Sequence, residues 1–95
     1  DYNGEELFEI FSMQCKKNMY KLDESVQEHA RGIFEEMYRT RGENFGNGRD
    51  VRNLFENAVS VHSDRVAAME KPSREDLEKL LPEDLDKAFE KLINA

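Results

Sequence analysis

The apolar residues of this chain recur at intervals of three and four, the spacing of one face of an α-helix, and no sustained alternation suggests a long strand. Val51, Leu54, Phe55, Ala58, Val59, His62, Val66 and Met69 fall within one sector at about 100° per residue. Val26, Ala30, Ile33, Phe34, Met37 and Tyr38 do the same earlier in the chain. Shorter stripes run through Leu7, Phe8, Phe11 and Cys15, and through Leu85, Ala88, Phe89, Leu92 and Ile93. Helices with one apolar face must bury those faces against each other. The fold class is therefore all-α, a small four-helix bundle.

The boundaries follow from capping chemistry. Asn3 with Glu6 makes a capping-box-like start, with Asn in place of the usual Ser or Thr, and Lys16 and Lys17 suit the C-terminal end of that helix. Asp23 caps a second helix, which Arg39 and Arg41 close favourably for the dipole and Gly42 terminates. A third helix is expected from near Asn47 to about Met69, ended by Lys71-Pro72. Ser73 with Asp76 caps one further turn through Leu77, and Pro82 sits at the first position of a last helix. Tyr20-Lys21-Leu22 and Lys79-Leu80-Leu81 read as short extended segments that can pair, a minimal two-strand element. There is no internal repeat and no low-complexity linker, so residues 1–95 form one domain.

Composition excludes some functions. At 95 residues the chain builds a modest core but not an elaborate active site. Charged residues make up 37% and the formal charge is −7, against the basic footprint that nucleic acid or an anionic membrane requires. The single cysteine, Cys15, precludes an internal disulfide and fits a reducing compartment, so a cytoplasmic location is expected. No apolar run approaches the ~20 residues of a membrane span, and no signal-peptide pattern opens the chain. The first residue is Asp1 rather than methionine, which suggests a fragment of a longer protein.

The densest local feature is Phe45-Gly46-Asn47-Gly48-Arg49-Asp50-Val51-Arg52-Asn53, two glycines and two arginines around a helix start. A helix N-terminus carries partial positive charge and favours acids, yet Arg49 and Arg52 stand there with only Asp50 to offset them. Exposed amides and the dipole at such a position attract phosphate or carboxylate. Arg49 lies roughly opposite the apolar stripe and Arg52 on its flank, so Arg49 faces water or a partner. Arg39, Arg41, Arg49 and Arg52 fall within 14 residues that hold only two acids, Glu43 and Asp50. One reading is an anion-sensing edge; the other is a solvated helix start whose arginines pair with nearby acids at little energetic gain.

Other chemistry is absent. There is no G-x-x-x-x-G-K-[ST] phosphate loop and no G-x-G-x-x-G. His29 and His62 lie on different helices without a second histidine or cysteine at ligand spacing, so no metal site is expected. His62 reads as a core-edge residue satisfied by a hydrogen bond, and Cys15 as a small buried hydrophobe. Glu5-Glu6 and Glu35-Glu36 diverge around their helices as solvated faces. Met13, Met19, Met37 and Met69 require no role beyond packing. The domain is not expected to catalyse a reaction unaided.

The pattern Asn3-x-x-Glu6-Leu7, followed by Phe45-Gly46-Asn47-x-Arg49-x-Val51-Arg52-Asn53-Leu54-Phe55-Glu56, resembles the C-terminal lid of AAA+ ATPases. Within them it looks most like the group of CbbX, a red-type rubisco activase, and sporulation stage V protein K. The likeness extends through Arg74-Glu75-Asp76-Leu77 and Glu83-Asp84-Leu85. Such lids follow a nucleotide-binding α/β domain, and a sensor-2 arginine at the start of the third lid helix reaches the phosphates of ATP. By motif position that residue is Arg49, with Gly48 and Arg52 as weaker candidates. The resemblance implies ATP and Mg²⁺ as cofactors of the full-length protein and none for the isolated domain. It implies as partners an upstream AAA+ nucleotide-binding domain and neighbouring subunits of a ring. Gly48 stands where alanine is common, which loosens the helix start by up to ~1 kcal/mol. Asn3-Gly4 replaces a more usual Thr-Pro entry.

Two other readings remain open on the residues alone. A free-standing helical module would bind a protein partner through an apolar groove or the acidic C-terminal half. A small DNA reader would use Arg49 and Arg52 against an unfavourable net charge.

Overall fold

In the computed structural model, which describes residues 2–40 and 48–95, five helices carry the chain. They are α1 (Gly4–Lys17), α2 (Glu24–Thr40), α3 (Gly48–Ala67), α4 (Arg74–Glu78) and α5 (Pro82–Ile93). The four long helices are the expected bundle, and α4 is the extra turn that Ser73 caps. Helix α3 packs most extensively on α5 and α1 on α2, with α1–α3 and α2–α5 contacts joining the two pairs.

The caps form as their side chains dictate. Asn3 Oδ1 accepts from the Glu6 amide at 2.8 Å while Glu6 accepts from the Asn3 amide at 3.0 Å. Asp23 accepts from the Val26 amide and the Ser25 hydroxyl. Ser73 and Asp76 exchange the same pair of bonds at the start of α4. The two extended segments meet in one parallel bridge between Lys21 and Lys79, with the Lys21 amide donating to Glu78 O at 2.7 Å and the Leu80 amide to Lys21 O at 3.3 Å.

The core is an aromatic relay across three helices. Phe34 of α2 tilts against Phe11 of α1 at 5.4 Å, Phe11 meets Phe55 of α3 edge-on at 6.3 Å, and Tyr20 stacks edge-on against both Phe55 and His62. Leu7, Val26, Val51, Leu54, Ala58 and Leu85 fill the space around it. Each large buried side chain contributes about 1.5–3 kcal/mol. His62 is buried and its Nε2 lies 2.8 Å from Asp76 O, the hydrogen-bonded core-edge position expected for it. Cys15 is buried, and that burial pushes its thiol pKa up to about 12, so it behaves as a hydrophobe.

Several boundaries and faces differ from the sequence reading. Tyr38 and Ile93 are 39% and 53% exposed, because each lies near the end of its helix, where the neighbouring helices no longer cover it. Helix α3 stops at Ala67 rather than Met69, where the Met69 amide turns back to Val66 O. Val61, Asp50 and Asp84 are buried outside the expected stripes. Met13 and Met19 are not packing residues; they are the most exposed large apolar side chains described. Met19 also has φ +65°, the left-handed position after α1. The Tyr20 amide reaches Cys15 O and the Met19 amide Lys16 O, the Schellman arrangement that glycine normally completes. A methionine there costs about 1–2 kcal/mol.

Asp84 is fully buried. Arg65 grips it with two bonds, Nε to Oδ1 at 2.9 Å and Nη2 to Oδ2 at 3.0 Å. Asp84 Oδ2 also accepts from the Leu81 amide at 2.8 Å, which caps α5. Removing one partner of a buried pair leaves an uncompensated charge, at about 3–5 kcal/mol. Asp84→Ala is therefore expected to lose about that much by urea denaturation. Asp86→Ala, which breaks only the half-exposed contact with His29, should lose less than ~1 kcal/mol.

The caps also set acid stability. Backbone amides hold Asp23 (through Val26, aided by the Ser25 hydroxyl) and Asp76 (through Ser73) below the ordinary aspartate value of 3.8. The Lys21 ammonium does the same for Glu78, whose ordinary value is 4.5. Groups with depressed folded-state pKa stabilise the fold fully above their unfolded values and lose that contribution as pH falls through the folded ones. The urea midpoint should thus hold above about pH 5 and decline below about pH 4. Asp23→Ala combined with Asp76→Ala should flatten that decline.

Candidate functional site

The start of α3 is fixed from behind. Val51, Leu54 and Phe55 are buried, so the helix cannot rotate about its axis without exposing them. That orientation turns Arg49 and Arg52 outward, and both are exposed. Asp50, the first-turn acid between them, is only 8% exposed and points inward. Among the described charged residues of this first turn, the two that face outward are therefore both cationic, which the position of Asp50 in the sequence did not reveal.

The remaining described arginines behave differently. Arg31 pairs with Glu5, Arg39 with Glu36, Arg65 with Asp84 and Arg74 with Glu78. Among the described residues no ion pair engages Arg49 or Arg52. The reading in which these two arginines pair with neighbouring acids finds no partner for them among the described residues. Arg41, Gly42, Glu43, Phe45, Gly46 and Asn47, which the sequence reading placed at the end of α2 and before α3, lie outside the described residues.

Gly48 opens α3, half-buried, with the Tyr2 ring 4.0 Å from where a Cβ would stand and nothing nearer among the described residues. The structure thus brings the beginning of α1 alongside the beginning of α3. Gly4 is different: a Cβ there would lie 3.1 Å from the Glu35 Cα and closer still to the Glu35 carboxyl. That glycine lets α1 approach the backbone of α2, a packing role that the replacement of a Thr-Pro entry by Asn3-Gly4 did not suggest.

A model of the AAA lid domain matches residues 3–95, nearly the whole chain. The chain belongs to the AAA lid domain family. The lid is a non-catalytic helical part of an AAA+ ATPase, and it associates with a nucleotide-binding domain. Searches of curated proteins and of solved structures each return no match. Among the described residues of the lid, no helix is long and apolar enough to cross a membrane.

The sequence reading missed the Arg65–Asp84 pair, although a signal for it was present. Arg65 follows His62 by three residues, at the edge of the α3 stripe, and Asp84 stands three residues after Leu81, where an acid caps a helix.

The two glycines give opposite expectations. Gly48→Ala fits the space and should raise the melting temperature slightly, by up to ~1 kcal/mol of stability. Gly4→Ala must displace Glu35 or part α1 from α2, and should lower it.

Proposed function

We propose that this lid senses bound ATP through Arg49, acting as the sensor-2 arginine of the parent ATPase, and that it couples nucleotide state to motion between subunits. The observation that carries the reading is an exposed arginine on the first turn of α3, locked outward by the buried face of the same helix and without an ion pair among the described residues. A guanidinium in that place meets phosphate oxygens with charge-assisted, directional hydrogen bonds. The amides of the same helix start add favourable dipole. Arg52, one turn on, gives weaker support, and Gly48 keeps the approach open.

ATP and Mg²⁺ belong in this proposal to the full-length protein, with the metal and the phosphate loop supplied by the upstream domain. Loss of the γ-phosphate removes part of what Arg49 holds, and so shifts the balance between lid positions. The motif around Arg49 favours the group of CbbX and sporulation stage V protein K, with a cytoplasmic location and a ring of subunits.

A hydrogen bond to a charged group contributes about 1.5–3 kcal/mol. Arg49→Ala in the full-length ATPase should therefore reduce ATP turnover about ten- to a hundredfold, and Arg52→Ala less. Circular dichroism and thermal melting of the isolated lid should be unchanged by Arg49→Ala, since the side chain is exposed. Wild-type turnover in the full-length variant would refute the assignment.

A further inference from the structure

The five sulfur atoms of this chain, four in methionines and one in Cys15, meet solvent very differently. Met37 lies in the core at 1% exposure and Met69 is half-buried, whereas Met13 is 71% and Met19 82% exposed. Both exposed methionines belong to the C-terminal end of α1, Met13 on its outward face and Met19 in the left-handed position that follows it. Cys15 stands between them in sequence and is buried, with its thiol pushed up to about 12 by that burial.

Oxidation chemistry separates these sulfurs. A thiol is oxidised through its thiolate, and burial denies Cys15 both ionisation and access. A thioether has no proton to lose, so access to the oxidant decides its reaction. Met19 has that access from a fixed place. Its amide donates to Lys16 O at 3.1 Å and the next amide, of Tyr20, to Cys15 O at 2.8 Å, and its side chain borders an open groove of about 1030 Å³. The cost of added oxygen differs in the same way. On Met37 a sulfoxide would bury a polar group in an apolar core, whereas on Met13 or Met19 it stays in water.

We propose that the C-terminal end of α1 is a reversible oxidation site, at which Met19 and Met13 each accept one oxygen from hydrogen peroxide while the fold persists. The Sδ lone pair attacks one peroxide oxygen, the S–O bond forms as the O–O bond breaks, and the departing hydroxide takes up a proton as water. Sulfur loses two electrons and the peroxide gains them. Methionine sulfoxide reductases with a dithiol reverse the step, releasing water and leaving the dithiol as a disulfide. The modification turns two apolar side chains polar, and so changes one surface of the lid without touching its core.

The test is exposure of the 95-residue chain to hydrogen peroxide, followed over time by peptide mass spectrometry and thermal melting. Met13 and Met19 should each gain one oxygen at least about tenfold faster than Met37, which reacts only when the fold opens. Met69 should fall between them and Cys15 should stay a thiol. The chain oxidised at Met13 and Met19 should keep its melting temperature, and reductases for both sulfoxide epimers should remove both oxygens. Met19→Leu should delete one oxygen from the map and leave Met13 as reactive as before. Oxidation of Met37 or Cys15 as fast as Met19 would overturn the proposal. So would a melting temperature that falls as Met13 and Met19 take up oxygen, or sulfoxides that the reductases leave in place.

Discussion

A carboxylate without access to solvent must find its hydrogen bonds inside the protein, and Asp84 finds them in Arg65 and the Leu81 amide. That one group joins the C-terminal half of α3 to the first turn of α5, the most extensive helix contact in the domain. Arg65 also reaches Lys79 O at 3.4 Å, close to the bridge that ties Lys79 to Lys21. The aromatic relay from Phe34 to His62 then fixes α3 against α1 and α2. With α3 held along both halves, the direction of its first turn is no longer free.

The fixed direction gives Arg49 its meaning. A cation at a helix N-terminus opposes the dipole by about 0.3–1 kcal/mol, a penalty that an anion in front of the helix would reverse. Asp50, the acid of the same turn, is turned inward, away from the outward face that carries Arg49 and Arg52. A rigid helix presenting a guanidinium that makes no ion pair among the described residues suits a sensor better than a mobile loop would, because little ordering entropy is lost on contact. Membership of the AAA lid domain family implies an adjoining nucleotide-binding domain, which in our proposal is what the arginine faces.

Much of this fold was legible in the sequence because it rests on local rules. The capping box at Asn3, the caps at Asp23 and Ser73, Pro82 at the start of α5 and the pairing of Lys21 with Lys79 all arise from side chains acting within a few residues or from simple extended geometry. Periodicity located most of the core for the same reason. What it missed depends on contacts between distant elements. Asp50 and Asp84 are polar by type and buried by tertiary packing, Gly4 matters only because Glu35 approaches it, and Tyr38 and Ile93 keep helical register but run past their neighbours. Exposed Met13 and Met19 are the converse, apolar by type and left outside the core. The outward turn of Arg49 was legible from its angle to the stripe, whereas the inward turn of Asp50 beside it was not.

The most direct measurement is a structure of the full-length ATPase with a non-hydrolysable ATP analogue and Mg²⁺ bound. The account predicts the Arg49 guanidinium within hydrogen-bond distance, about 3 Å, of a phosphate oxygen. A nucleotide-bound structure in which Arg49 points to solvent, or pairs with a carboxylate away from the nucleotide, would contradict it.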